Sequence, residues 1–271
     1  MGCAENGSFY FFTKVDLKMW PEKVIVKFTP QLTTAILFDG GFYRRIAQRI
    51  YGDKTPQERA HELEDYCRKH IMGSHENRDL YRIFYYDCPP SGKQVYHPLL
   101  GKTIDLGKTE ISIWMRDFLS ELKAKRKFAL RLGELSEDKL EYGLKYNSLK
   151  KLHSGSLSLS DLTEDDYTLN IVQKGVDMKI GVDIASLAYK KQVDQIILIS
   201  GDSDFVPAAK LARREGIDFI LDSMRQSIKD NLFEHIDGMQ THISNSAKKT
   251  TSARPAIEEI VSPPAFEEVL V

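Results

Sequence analysis

The chain has no run of 18 or more apolar residues, so no segment is expected to span a membrane. Its first residues lack the basic-then-apolar layout of a secretory leader. Cysteine is scarce. Cys3, Cys67 and Cys88 are odd in number and spaced for neither a zinc site nor a disulfide framework, which suits a reducing cytosol. Excess charge of either sign is missing too. With 38 Lys and Arg against 39 Asp and Glu the net charge is −1, so the molecule is no polycation drawn to nucleic acid by its global field. Any such binding has to come from a local patch. No internal repeat is present, and Met1-Gly2-Cys3 starts like an acylation signal but has Asn6 where that pattern asks for Ser or Thr.

What is present, in 271 residues of which 42% are hydrophobic, suffices for one large domain with appendages. The stretch Ile196-Ile197-Leu198-Ile199-Ser200-Gly201-Asp202-Ser203-Asp204-Phe205 organises the rest. Four aliphatic residues in a row read as a strand buried on both faces of a parallel sheet. A glycine turns the chain, two carboxylates follow two positions apart, and a helix is expected over Ala208–Arg214. In an open α/β sheet, ligands bind beyond the carboxyl ends of the strands, where Ser200 to Asp204 fall. Asp and Ser are also ordinary helix caps, but one cap accounts for only one of the two acids.

Other strands are expected at Ala35–Phe38, Leu80–Asp87, Phe128–Leu132, Tyr167–Val172 and Ile217–Leu221. The first ends in Asp39-Gly40-Gly41, where paired glycines permit a tight turn and close approach of the backbone. Helical patterns cover Phe42–Tyr51, Pro56–His70, Glu110–Lys125 (Ile113, Phe118 and Leu122 inward), Asp177–Lys191 (Ile180, Ile184 and Leu187 packed) and Ser227–Ile236. Residues 91–109 read as a loop, and 136–163 as a polar insertion or flexible loop. A leader, 1–32, holds two possible strands, Phe9–Val15 and Val24–Phe28. A tail, 241–271, has the composition of disorder, leaving 33–240 as the main domain.

The acids gather by inference. Asp39 follows the first strand and Asp202 and Asp204 follow a later one. Asp177 and Asp183 border the packed stripe of a helix at about 100° per residue. If the two strands are neighbours, all five meet at one sheet edge. Crowded carboxylates cannot all stay ionised without a counter-charge. A hard divalent ion, Mg²⁺ or Mn²⁺, suits oxygen ligands, and the lack of His and Cys argues against zinc. Such a centre hydrolyses phosphoesters. Ser200 and Ser203 are candidates to orient water or phosphate, or else turn hydroxyls. Lys174 is a candidate phosphate contact, or a solvated loop lysine. Lys123, Lys125, Arg126, Lys127 and Arg131 form the densest basic run, read equally as a nucleic-acid patch or a solvated helix end.

Lys174-Gly-Val-Asp177, Asp183 six residues on, and Ser200-Gly-Asp-Ser-Asp-Phe205 resemble the NYN domain, in its LabA-like (DUF88) variety. Leu37-Phe-Asp-Gly-Gly-Phe42 and Arg131-Leu-Gly133 fit the same pattern, and the resemblance covers roughly residues 33–235. It implies a PIN-like three-layer α/β/α fold with a central, mainly parallel sheet, and a Mg²⁺- or Mn²⁺-dependent nuclease acting on RNA. The family's acidic positions carry over to Asp39, Asp177, Asp202 and Asp204, with Asp183 a further match. Phe42 departs from the Asn that many relatives carry shortly after the first Asp. The alternative is a PIN-like module that binds RNA or protein without cutting. A haloacid-dehalogenase-type phosphatase would need Asp at position 41, which is Gly. A cytoplasmic protein is expected, and oligomeric state is open.

Overall fold

The computed structural model describes residues 31–73 and 76–243. The possible strands at Phe9–Val15 and Val24–Phe28, and the tail from residue 244 on, lie outside the described residues. Strand β1 (Leu32–Asp39) leads into α1 (Gly40–Tyr51) and α2 (Pro56–Met72), then β2 (Arg78–Asp87). A hairpin follows, β3 (Gln94–His97) and β4 (Lys102–Asp105), then α3 (Glu110–Ala124) and β5 (Phe128–Leu132). Next come β6 (Glu134–Leu144), α4 (Tyr146–His153), β7 (Tyr167–Lys174) and α5 (Val176–Tyr189). The chain closes with β8 (Gln195–Ile199), α6 (Val206–Arg214), β9 (Asp218–Asp222), a short α7 (Asp230–Phe233) and β10 (Gly238–Met239).

Six strands form one sheet in the order β10-β9-β8-β1-β2-β5. Every pairing in it is parallel, so the expected "mainly parallel" sheet is wholly parallel. Side chains alternate between its two faces, as a period of two demands. Ala35, Leu37, Phe84, Tyr86, Ile196 and Leu198 pack with Ile180, Ile184 and Leu187 of α5 and Ala209 and Ala212 of α6. Ile36, Phe38, Ile83, Tyr85, Ile197 and Ile199 pack on the other side, against α1, α2 and α3. Both faces are thus covered by helices, which is why the strands read as unbroken apolar runs.

From β1 the chain first steps one way, to β2 and β5, then returns to the other side for β8, β9 and β10. The order therefore reverses between β1 and β8, and their carboxyl ends flank the crevice where such sheets bind ligands. The segments read as loops are more ordered than their sequence suggests. Residues 94–105 form the β3–β4 hairpin, and the supposed 136–163 insertion begins with β6, which pairs with β7 as an antiparallel ribbon, and continues into α4. The ring of His97 lies 4.4 Å from that of Tyr142 and 5.2 Å from that of Tyr167, joining hairpin to ribbon. At the other boundary Ile243, assigned to the tail, is buried in the core.

Candidate active site

Asp39 is the last residue of β1 and the N-cap of α1: its Oδ1 accepts from the Phe42 N–H at 3.1 Å. Its other oxygen accepts from Ser200 Oγ at 3.1 Å. Ser200 follows β8 directly and is fully buried, and its Oγ also accepts from the Asp202 N–H at 3.2 Å. One serine thus ties the ends of β1 and β8 together. Asp202 then caps the short 3-10 turn Ser203–Phe205, accepting from the Asp204 N–H at 3.0 Å. Phe205 is buried and anchors this turn, while Asp202 and Asp204 are exposed. Asp177 enters from the other strand connection, in the first turn of α5, after Gly175 at φ 79° has bent the chain out of β7.

The electrostatics fit this grouping. Burial pushes the Asp39 carboxyl up to about 6; hydrogen bonds from Phe42 and Ser200 oppose the rise, and the fields of Asp177 and Asp87 add to it. Asp177 is also raised, first by desolvation and then by Asp202 and Asp204. Among the described residues none of Asp39, Asp177, Asp202 and Asp204 forms an ion pair with Lys or Arg. The donor set is all oxygen and anionic, which fits a hard dication. No three of the described acidic, His or Cys side chains stand together as a ready-made metal shell. A dication held here would take water for the rest of its shell, as Mg²⁺ prefers, or would need the exposed Asp202 and Asp204 to turn inward.

Two sets of expected residues stand elsewhere. Asp183 does not join the acids, because its Oδ2 accepts from Arg131 Nε at 2.9 Å and from the Tyr86 hydroxyl at 2.8 Å. A carboxylate already satisfied by a guanidinium has little reason to take a metal. Lys125, Arg126 and Lys127 lie in the turn between α3 and β5, at the amino end of a parallel strand and so at the opposite end of the sheet from the crevice. Lys125 is held by Glu64 at 2.6 Å, and Lys127 donates to the Leu80 carbonyl. Arg126 alone of the three is exposed with no bond to a described residue. Lys174 is exposed at the end of β7, three residues before Asp177. Ser203 is half-buried, and its hydroxyl makes no bond to a described residue.

The sequence reading missed a second acid at a strand end. Asp87 closes β2 as Asp39 closes β1, and Arg44 of α1 grips it with two bonds of 2.9 and 3.0 Å. The Tyr85 hydroxyl adds a third at 3.1 Å. Gly40 explains how α1 comes so close: a Cβ there would lie 2.5 Å from both Asp87 Oδ2 and the Tyr86 carbonyl. The rule that flagged Asp39, an acid ending a buried strand, also applied to Asp87.

These features define an α/β domain with a carboxylate-lined crevice at the switch point of a parallel sheet. Residues 117–241 match the model of the NYN domain. That match supports the NYN family, within the PIN-like nuclease superfamily, and suggests a nuclease. No curated protein matches the chain. A crystal structure of a protein of unknown function, VPA0982 from Vibrio parahaemolyticus RIMD 2210633, is similar at 15% identity and a TM-score of 0.41, over 77% of this chain and 91% of that one.

Proposed function

We propose that the protein is a divalent-metal-dependent ribonuclease of the LabA-like (DUF88) type, acting in the cytoplasm, with Asp39, Asp177, Asp202 and Asp204 as its catalytic acids. The observation that carries this reading is Asp39: a half-buried carboxyl raised by desolvation to about 6, facing other acids, with no described cation beside it. A site built only for stability would pair such a group or replace it.

When bound, Mg²⁺ or Mn²⁺ supplies acidity to water and neutralises charge on phosphoryl oxygens. The chain's own residues prepare the rest. Ser200 fixes one Asp39 oxygen and the backbone of Asp202, so the two strand ends present their carboxylates in a set relation. Asp202 shapes the turn that carries Asp204. Asp177 stands across the crevice with Lys174 nearby in sequence, exposed and available to a phosphate.

Phe42 favours a second reading, a module that binds without cutting. Its ring packs against Gly201, where an added Cβ would come within 3.0 Å of it, so this position offers no polar group to the crevice. Purified protein incubated with labelled single-stranded RNA in Mn²⁺, Mg²⁺ or EDTA separates the two. Cleavage that requires metal and is lost in Asp202→Asn is the expected result. RNA bound but intact in every metal would establish the binding module instead.

A further inference from the structure

With Lys125 and Lys127 occupied at the far end of the sheet, a nucleic acid needs other cations near the crevice. Helix α1 supplies them. It starts at Asp39, and its border toward β8 is marked by Phe42, which packs on Gly201. Farther along the same border Arg49 reaches the loop after β9, its Nη1 lying 3.4 Å from Gln226 Oε1. Arg45 sits between them, one turn before Arg49, since residues four apart share a helix face. Arg44, by contrast, points the other way, to Asp87 on β2.

Arg45 and Arg49 are both exposed, and neither meets a carboxylate among the described residues. Like charges four apart repel, and no acid on this border relieves them. Arg225, exposed and next to Gln226, extends the basic surface where Arg49 arrives. The spacing is that of a track: two arginines whose backbone positions are about 6 Å apart along the helix axis, beginning nearly two turns beyond the Asp39 cap.

We propose that Arg45 and Arg49 hold the phosphates of a single-stranded nucleic acid where it leaves the acidic crevice over α1. This rests on the nuclease reading of that crevice and adds the direction of the strand. An extended polyanion suits the site because its charges repeat along a line, so one segment meets the acids' counter-ion while the next meets the arginines.

Binding of a fluorescent single-stranded RNA to the full chain in EDTA, measured across salt concentrations, tests it without any need for cleavage. In R45A/R49A the affinity falls severalfold, and the slope of log K against log salt shrinks by about 1.4, or 0.7 for each of two single-strand contacts. The variant K125A/R126A/K127A keeps the wild-type slope. Both substitutions in R45A/R49A place a strong helix former on an exposed face, so the fold is retained, as a circular dichroism melt verifies. A double variant with wild-type affinity and slope overturns the track while leaving the nuclease reading intact. Wild-type protein that neither binds nor cuts RNA overturns the reading of the crevice and the track together. A poly-glutamate peptide held equally well, with the same loss in the double variant, makes this a general anion surface and overturns the nucleic-acid assignment.

Discussion

Asp39 is where a single residue makes a measurable claim. Its carboxyl is raised by burial from 3.8 to about 6. Between those values the folded protein holds a proton that the unfolded chain has released, so stability is greatest below the window and falls as pH rises through it. At about 1.4 kcal/mol per unit the loss amounts to about 3 kcal/mol at most. In metal-free buffer the melting temperature of wild-type protein should therefore drop between pH 4.5 and 7, roughly as that linkage requires. Asp39→Asn, which still caps α1, should flatten the drop and melt higher at pH 7; parallel profiles would show that the acid carries no such burden. Arg44 makes the opposite case. Asp87 has no exposed side-chain surface and Arg44 is 30% exposed, so Arg44→Leu strands a buried charge. A loss of about 2–4 kcal/mol in urea denaturation is expected, largely recovered in Arg44→Leu with Asp87→Asn. Recovery is the informative part, since a merely lost packing contact would not be rescued by neutralising the partner. The four acids of the crevice were legible because each follows a buried strand or opens a helix beside one. The pairing of Asp183 was not legible, because Arg131, its partner, lies 52 positions away in the chain, and no local pattern reveals a cation at that range.

Elements show the same division between local and distant causes. Helix α1 begins with two glycines that the sequence marks as a turn, but only the packing tells which one is obligatory. At Gly40 a Cβ would meet a β2 backbone carbonyl at 2.5 Å and the Tyr85 ring at 2.8 Å, and a carbonyl fixed in a central strand cannot move aside. Gly40→Ala should destabilise by about 2–3 kcal/mol despite alanine's better helix propensity. Gly181, within α5, meets nothing within 4 Å, so Gly181→Ala should stabilise by about 0.5–1 kcal/mol. Guanidinium denaturation of both variants checks the pair, and equal signs would mean that the close approach of α1 to β2 is not what holds Gly40. Five strands of the central sheet and the helices over them read correctly where apolar runs were long and caps were present, as in α2, whose Thr55 and Glu58 form a capping box. Short elements escaped. The β3 strand offers four residues of alternation, too few to register; β7 was expected as a strand, but its partner β6, longer and polar, was not, because it pairs with β7 outside the central sheet. Ile113, expected inward, is 45% exposed on α3, and the helix expected over Ser227–Ile236 is one turn followed by β10.

At the scale of the molecule, what matters is that β1 and β8 are neighbours with parallel register, Phe38 opposite Ile199. Strand order is set by where helices cross the sheet, and the sequence contains that only as a condition: if the two strands are adjacent, their acids meet. Adjacency brings Asp39 within reach of Ser200, and the fields of Asp177, Asp202 and Asp204 overlap. On the proposed function, metal, proton and fold are coupled. An ion that binds only the folded chain stabilises it by about 2.7 kcal/mol at a hundred times its dissociation constant. Below about pH 6 Asp39 carries a proton, which the proposed ion would have to displace. The melting-temperature gain on adding Mn²⁺ or Mg²⁺ should therefore be small at pH 5 and grow toward pH 7.5. It should shrink at pH 7.5 in Asp177→Asn and in Asp202→Asn, whose carboxylates are proposed as the other donors, and persist in Arg126→Ala at the opposite end of the sheet. Gains that ignored pH and survived both acid substitutions would locate the ion elsewhere, and the crevice would then have to work by binding alone.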